Sequence, residues 1–209
     1  MTIEEKIASR ILEVQRTKEN IIVAFCGAAD LGKTYLAKRV VNLLNSHNVR
    51  SAHVGLDSFL MDRSERKRRG ISGYDPIAHD IQQMVRTLGN WTNGKPIKYH
   101  PYDHQVGKKR PEYVLIDNCE VLLIEGLFSL HKAILPFVDL SFFFYAEEEK
   151  LKQIKLEADL VKRGYSRQYS EEIYQAEFKL YKQHVEPLRE KAGHRLKLQD
   201  KWKYILELR

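Results

Sequence analysis

"FCGAADLGKTYLAKR", Phe25–Arg39, holds two glycines five positions apart followed by a Lys-Thr pair, and its reading decides the fold. From Gly27 to Thr34 it satisfies G-x-x-x-x-G-K-S/T at every defined position. Glycines let the backbone wrap an anion so that several N–H groups point inward, and a following helix adds its positive N-terminal end. Lys33 is placed to reach the β- and γ-phosphates of a nucleoside triphosphate, and the Thr34 hydroxyl to bind Mg²⁺. The candidate nucleotide contacts are therefore Gly27, Ala28, Ala29, Asp30, Leu31, Gly32, Lys33, Thr34 and Tyr35.

The flanks agree with that reading. "NIIVAFCG" is apolar, rich in β-formers and closed by Gly27, as expected of a fully buried strand. After it, Leu36, Ala37, Val40, Val41 and Leu44 share one helical face from Thr34 to His47. Ile3, Ile7, Ile11 and Val14 predict a leading amphipathic helix. "SAHVGLD" alternates as a strand with Asp57 at its carboxyl end, "EVLLIEG" is a second buried strand, and "DLSFFFYA" a third. Ile77, Ile81, Met84, Val85 and Leu88 predict a helix stopped near Gly89. "IKYHPYDHQVGKKRPEYVLI" reads as a hairpin around Gly107. Helices over 147–163 and 170–185, the second capped by Ser170, precede a last strand at "HRLKL". Alternating strands and helices imply an α/β fold, a parallel sheet covered on both faces. The whole chain, 1–209, reads as one domain with a departure from alternation at 58–115.

At 209 residues and 43% hydrophobic content the chain can bury a sizeable core, and a net charge of +7 favours anionic partners. Cys26 and Cys119 lack ligand spacing, so neither a disulfide scaffold nor a zinc site is indicated, and a reduced, cytoplasmic protein is the simple reading. The opening residues lack a signal-peptide core, and "VLLIEGLFSL" is too short to span a bilayer. No Asn/Thr-Lys-x-Asp base reader marks a guanine-nucleotide switch. "DRSERKRRG", Asp62–Gly70, reads as a solvated loop, a flap over an anionic acceptor or nucleotide, or a nucleic-acid surface. The last is weakened because no aromatic platforms interleave it. His100 and His104 are split by Pro101, against a helical metal pair; His104 beside Asp103 suits a pocket wall.

A cradle alone does not say where the phosphoryl group goes. Transfer to an alcohol needs a carboxylate near the acceptor, and such groups gather at the carboxyl ends of parallel strands. Asp57 and Glu125 both stand there. At this point the chain resembles the uridine kinase, phosphoribulokinase and pantothenate kinase family of P-loop kinases. "GLDSFL", "GYDPIAHDI", "YHPYDHQVGKK", "VLLIEGLFSL", "ADLVKRG" and "HVEPL" match the family's segments in order across about 25–200. The resemblance implies a three-layer P-loop NTPase sandwich, with 58–115 as the acceptor-binding insertion and 147–170 as a helical lid. It implies Asp57 as the catalytic carboxylate and Glu125 as support for Mg²⁺. Arg163 matches the second lid arginine, with Lys155 and Arg167 as helpers, and Tyr74, Asp75, Tyr102, Asp103 and His104 are candidates for the acceptor wall. The implied reaction is ATP-dependent phosphorylation of a small metabolite, first a uridine- or cytidine-like nucleoside, then pantothenate or a sugar phosphate. A nucleotide-driven regulatory protein and a nucleic-acid-binding ATPase are the rival classes, and self-association stays open.

Three positions depart from the family pattern. Leu60 stands in place of a tyrosine, Asp75 runs directly into Pro76 without the usual histidine, and Ala158 replaces the first lid arginine. The stripe Leu151, Ile154, Ala158 and Val161 offers a plain account of Ala158 as core-facing, with Lys152, Lys155, Asp159 and Lys162 as a solvated face. Tyr174, Phe178, Tyr181 and Val185 read as core packing.

Overall fold

The computed structural model describes residues 1–200 and 202–208. Strand β1 (Ile21–Gly27) is buried at every position, so both its faces are covered. It lies in a six-stranded sheet of order β10-β9-β8-β1-β7-β2, built with β2 (Ser51–Gly55), β7 (Val121–Glu125), β8 (Leu140–Tyr145), β9 (His194–Asp200) and β10 (Lys203–Leu208). The five strands from β2 to β9 pair in parallel, and β10 closes the edge antiparallel to β9. "HRLKL" is thus the start of β9, and β10 is an element the apolar patterning missed. Phe25 packs against the rings of Phe142 and Phe144 at centroid distances of 5.5 and 5.1 Å, tying the middle of the sheet together.

Helix α1 (Ile3–Gln15) forms as its periodicity predicts, buries Ile7 and Ile11, and starts on a Thr2–Glu5 capping box. Helix α2 (Lys33–Ser46) leaves the cradle directly from Gly32, whose φ of 71° is left-handed. Gly27 sits at φ +128°, and a Cβ there would lie 2.0 Å from the carbonyl oxygen of Phe144 on β8. Gly27→Ala is therefore expected to destabilise the protein by about 3 kcal/mol or more, read as a lower urea midpoint.

The segment between β2 and β7 differs from its sequence reading in three ways. β2 ends at Gly55, and Asp57 lies in the single 3₁₀ turn Leu56–Phe59 that follows. The basic run is not a loop: α3 spans Arg63–Arg69, because Arg, Lys and Glu are good helix formers even where no apolar period exists. Helix α4 (Ile81–Thr92) runs through Gly89 rather than stopping there, while Ile77 belongs to a separate turn and is 65% exposed. Gly in a helix interior costs about 1 kcal/mol relative to Ala, which the burial of Leu88 and Trp91 on either side offsets. The hairpin around Gly107 is present as two nested ribbons, β3 (Ile97–Tyr99) with β6 (Val114–Ile116) and β4 (Tyr102–Asp103) with β5 (Lys108–Lys109).

Helix α5 spans Glu148–Arg163 and α6 spans Arg167–Leu180. The second starts three residues earlier than expected. Ser166, not Ser170, is its cap, accepting from the Tyr169 amide, and Ser170 is fully buried inside the helix. Ala158 is buried as the apolar stripe predicts, but Val161 is 79% exposed. Lys155 and Asp159 are buried rather than solvated, because they pair with each other at 2.5 Å. Tyr174, Tyr181 and Val185 are buried, and the rings of Tyr174 and Tyr181 stack on Phe178, as core packing requires.

Candidate active site

The sheet register places the chemistry. Phe25 and Gly55 both stand opposite Glu125, so the ends of β1, β2 and β7 share one rim. At that rim opens a cavity of about 710 Å³. Ala29, Asp30, Gly32, Lys33, Thr34 and Tyr35 line it from the cradle, whereas Ala28 and Leu31 turn into the core. A Cβ on Gly32 would meet Trp202 and Tyr204 within 3 Å, since the β9–β10 hairpin folds onto the cradle and Tyr204 Oη donates to the Leu31 carbonyl at 2.5 Å. Trp202 lines the cavity as well. Nothing local in "DKWKY" marks it; only the pairing of β9 with β10 brings it there.

Lys33 is 7% exposed and donates to the Ala28 carbonyl at 2.7 Å, and among the described residues no carboxylate pairs with it. A buried ammonium with no carboxylate in direct contact is costly unless an anion arrives, so the residues present fit a triphosphate tail. The Thr34 hydroxyl donates to Glu125 Oε1 at 2.8 Å, and Glu125 is 7% exposed. A hydroxyl and a carboxylate meeting beside a phosphate cradle are the oxygen donors that suit Mg²⁺, which is bound by few protein ligands and completes its shell with water and phosphate.

Asp57 lines the cavity with Tyr74, Tyr102 and His104. Its Oδ2 lies 3.1 Å from His104 Nε2. Burial alone opposes ionisation of Asp57, but the hydrogen bond and charge of His104 outweigh it and hold the carboxyl down at about 2. The same bond raises the His104 imidazole above its ordinary value. Two further candidates for this wall lie elsewhere. Asp75 caps the turn Pro76–Ala78 by accepting from the Ile77 amide at 3.0 Å. Asp103 caps its own turn through the amides of Gln105 and Val106 and pairs with Arg110 at 3.3 Å. Both are short-chain acids in turns, where local backbone N–H groups compete for the carboxylate.

From α5, Lys155, Lys162 and Arg163 line the cavity; Arg167 does not, being exposed and tied to Glu171 at 2.9 Å. Arg163 bridges Asp30 of the cradle at 2.9 Å and Asp159 at 2.8 Å, and Lys162 adds a second cation to Asp30 at 3.0 Å. Burial works against the charges here, yet the opposite partners prevail: Asp30 is lowered by Arg163 and Lys162, and Arg163 is raised by Asp30 and Asp159. Asp159 also accepts from Ser170 at 2.5 Å, which explains a serine inside α6. Lys155 holds Glu177 at 2.9 Å besides Asp159. No helix among the described residues is long and apolar enough to cross a membrane.

A mostly parallel sheet carrying a Gly-rich anion cradle between its central strand and the next helix is the P-loop nucleotide-binding fold. The profile of the Phosphoribulokinase / Uridine kinase family matches residues 22–198, and the chain belongs to that family. It is 28% identical over 115 residues to a uridine kinase of Staphylococcus epidermidis, a match covering 54% of this chain and 55% of that protein, about half its length. It is 26% identical over 175 residues to a uridine kinase of Streptococcus equi subsp. zooepidemicus, covering 81% of this chain and 83% of the relative. The solved structure of D-glycerate 3-kinase from Cryptococcus neoformans var. grubii superposes with a TM-score of 0.75 at 12% identity, over 100% of this chain and 99% of that one. At that identity the likeness speaks for the fold alone.

Proposed function

We propose that this protein is a small-molecule kinase, transferring the γ-phosphoryl group of ATP to a hydroxyl of a metabolite. The observation that supports it most is the shared cavity: a cationic cradle and an ionised carboxylate, Asp57, face the same space. The family's kinases and the uridine kinase relatives agree with that chemistry. In this reading the amides from Ala29 to Thr34 and the Lys33 ammonium hold the triphosphate, and Thr34 and Glu125 hold Mg²⁺. The bound ion neutralises charge on the β- and γ-phosphates. Arg163, with Lys155 behind it, meets charge that develops on the moving phosphoryl group. Asp57 accepts a hydrogen bond from the acceptor hydroxyl and aims it. Orientation of the hydroxyl is the larger part of this role, since a loose transition state asks little of a base.

A uridine- or cytidine-like nucleoside is the acceptor the relatives' names suggest, with a pantothenate- or sugar-phosphate-like molecule as the alternative. Leu60 lines the cavity where the family pattern has a tyrosine, which weighs against the nucleoside. The test is ADP release from Mg·ATP against nucleosides, vitamins and sugar phosphates. Acceleration by one class supports the kinase; acceleration only by nucleic acid or a protein partner contradicts it.

The His104–Asp57 pair makes this activity pH-dependent. His104 is raised, so its contribution to the pair is complete below 6.5 and is lost as pH climbs through its elevated value. Asp57 is lowered, so its contribution is present above 3.8 and lost only as pH falls toward about 2. Between those limits the pair is intact and the acceptor hydroxyl competes with His104 for the carboxylate. Activity at subsaturating acceptor is expected to rise as pH increases above 6.5, and His104→Gln to flatten that limb. An unchanged limb in the variant removes His104 from the profile.

A further inference from the structure

Six cationic side chains and four carboxylates line the cavity. The carboxylates are all engaged: Asp30 by Lys162 and Arg163, Glu177 by Lys155, Asp57 by His104, and Glu125 by Thr34. Three cations are left without a carboxylate among the described residues. One is Lys33, in the cradle. The others are Arg63 and Arg66, three apart on α3 and so on one helical face. Their neighbours Arg68 and Arg69 turn the other way, to Glu65. The basic run therefore has two sides, one where Arg68 and Arg69 share the single carboxylate of Glu65 and one presented to the cavity.

Arg63 and Arg66 stand at the acceptor end of that cavity. Arg63 donates to the backbone carbonyls of His104 and Gln105, and His104 in turn holds Asp57. Arg66 donates to the Met61 carbonyl at 3.0 Å and reaches Tyr102 Oη at 3.5 Å. These partners are neutral. They fix the two guanidinium groups in place and leave their charges uncompensated in a half-enclosed space, where N–H donors of each fork remain for a ligand. Bracing a hairpin turn needs only donors; a planar, permanent charge pointed into a reaction cavity suits a carboxylate or phosphate.

We propose that the acceptor is an anionic hydroxylated metabolite, its phosphate or carboxylate held by Arg63 and Arg66 while its hydroxyl faces Asp57. This rests on the kinase reading above and goes beyond it in naming the charge class of the acceptor. It separates this chain from a kinase for a neutral nucleoside.

Matched pairs of probes test it: D-ribose against D-ribose 5-phosphate, glycerol against D-glycerate, and uridine against uridine 5′-monophosphate. Binding to the Mg·ADP-loaded protein is measured by calorimetry, and ADP release from Mg·ATP is measured separately. At least one anionic member is expected to bind ten times or more tighter than its neutral partner. Arg63→Gln and Arg66→Gln are each expected to weaken that binding about tenfold, with partial recovery in Arg66→Lys. Preference for the neutral member of every pair, no binding by any anionic member, or variants that bind the anion as wild type does, would overturn the proposal. The wild-type comparison stands even if a glutamine variant fails to fold. Selective anion binding with no ADP release from any probe would uphold the charge class and count against the kinase reading, so the two failures are told apart.

Discussion

Asp57→Asn is expected to retain Mg·ATP with near-unchanged affinity and to lose turnover at least a hundredfold, the range for removal of a group that aims and accepts a reacting proton. The substitution is nearly isosteric, so the turn Leu56–Phe59 and its backbone bond from Leu60 to Asp57 can persist. What changes is charge. Asn cannot hold protonated His104 as a carboxylate does, and it offers the incoming hydroxyl a neutral acceptor in place of an anion. The effect should therefore fall on kcat more than on the KM for Mg·ATP. Near-normal turnover would take Asp57 out of the mechanism.

Arg163→Ala is expected to lower turnover by about three orders of magnitude, the scale for removing an arginine from transferred-phosphoryl charge. Part of the loss has a structural origin. Asp159 is fully buried and receives Arg163, Lys155 and Ser170, so deletion of the arginine leaves it short of one charged donor. Asp30 on the cradle loses one of its two cations and keeps Lys162. Arg163→Lys separates the two effects: it restores one charge without the fork that bridges Asp30 and Asp159 together. Stability should recover more than turnover in that variant. If alanine leaves turnover within tenfold of wild type, Arg163 serves the structure and not the reaction.

The parts legible in the sequence were those whose causes are local. The cradle is written in consecutive residues because its backbone path needs Gly27 and Gly32 themselves, at φ of 128° and 71°. The end of β7 was legible for a related reason: a buried parallel strand is an apolar run, and its closing acid, Glu125, falls at the rim. β2 is only partly buried and stops two residues short of Asp57. Helix α3 was not, since seven residues without a buried side chain leave no period to detect. Nor was the start of α6, where Ser166 and Ser170 are equally good caps in isolation. Only the fold brings Asp159 to Ser170, eleven residues away, and so buries the second serine. The same holds for Lys155 and Asp159, whose polar types and spacing describe a surface pair until Glu177 and Ser170 arrive from α6. Asp75 and Asp103 show the opposite error. Their identity suits a pocket wall, but each sits two residues before an amide that claims it. Trp202 reaches the cavity through the pairing of β9 with β10 and carried no local sign.

The central claim is that a phosphoryl group gripped at the cradle passes to an alcohol beside Asp57. Following radiolabel from γ-³²P-ATP in the presence of Mg²⁺ and a mixed panel of hydroxylated metabolites tests it most directly. Transfer of label to a small organic acceptor by the wild-type protein, and its loss in Asp57→Asn, is the expected result. Label that stays on ATP or emerges only as inorganic phosphate, whatever acceptor is supplied, would contradict it.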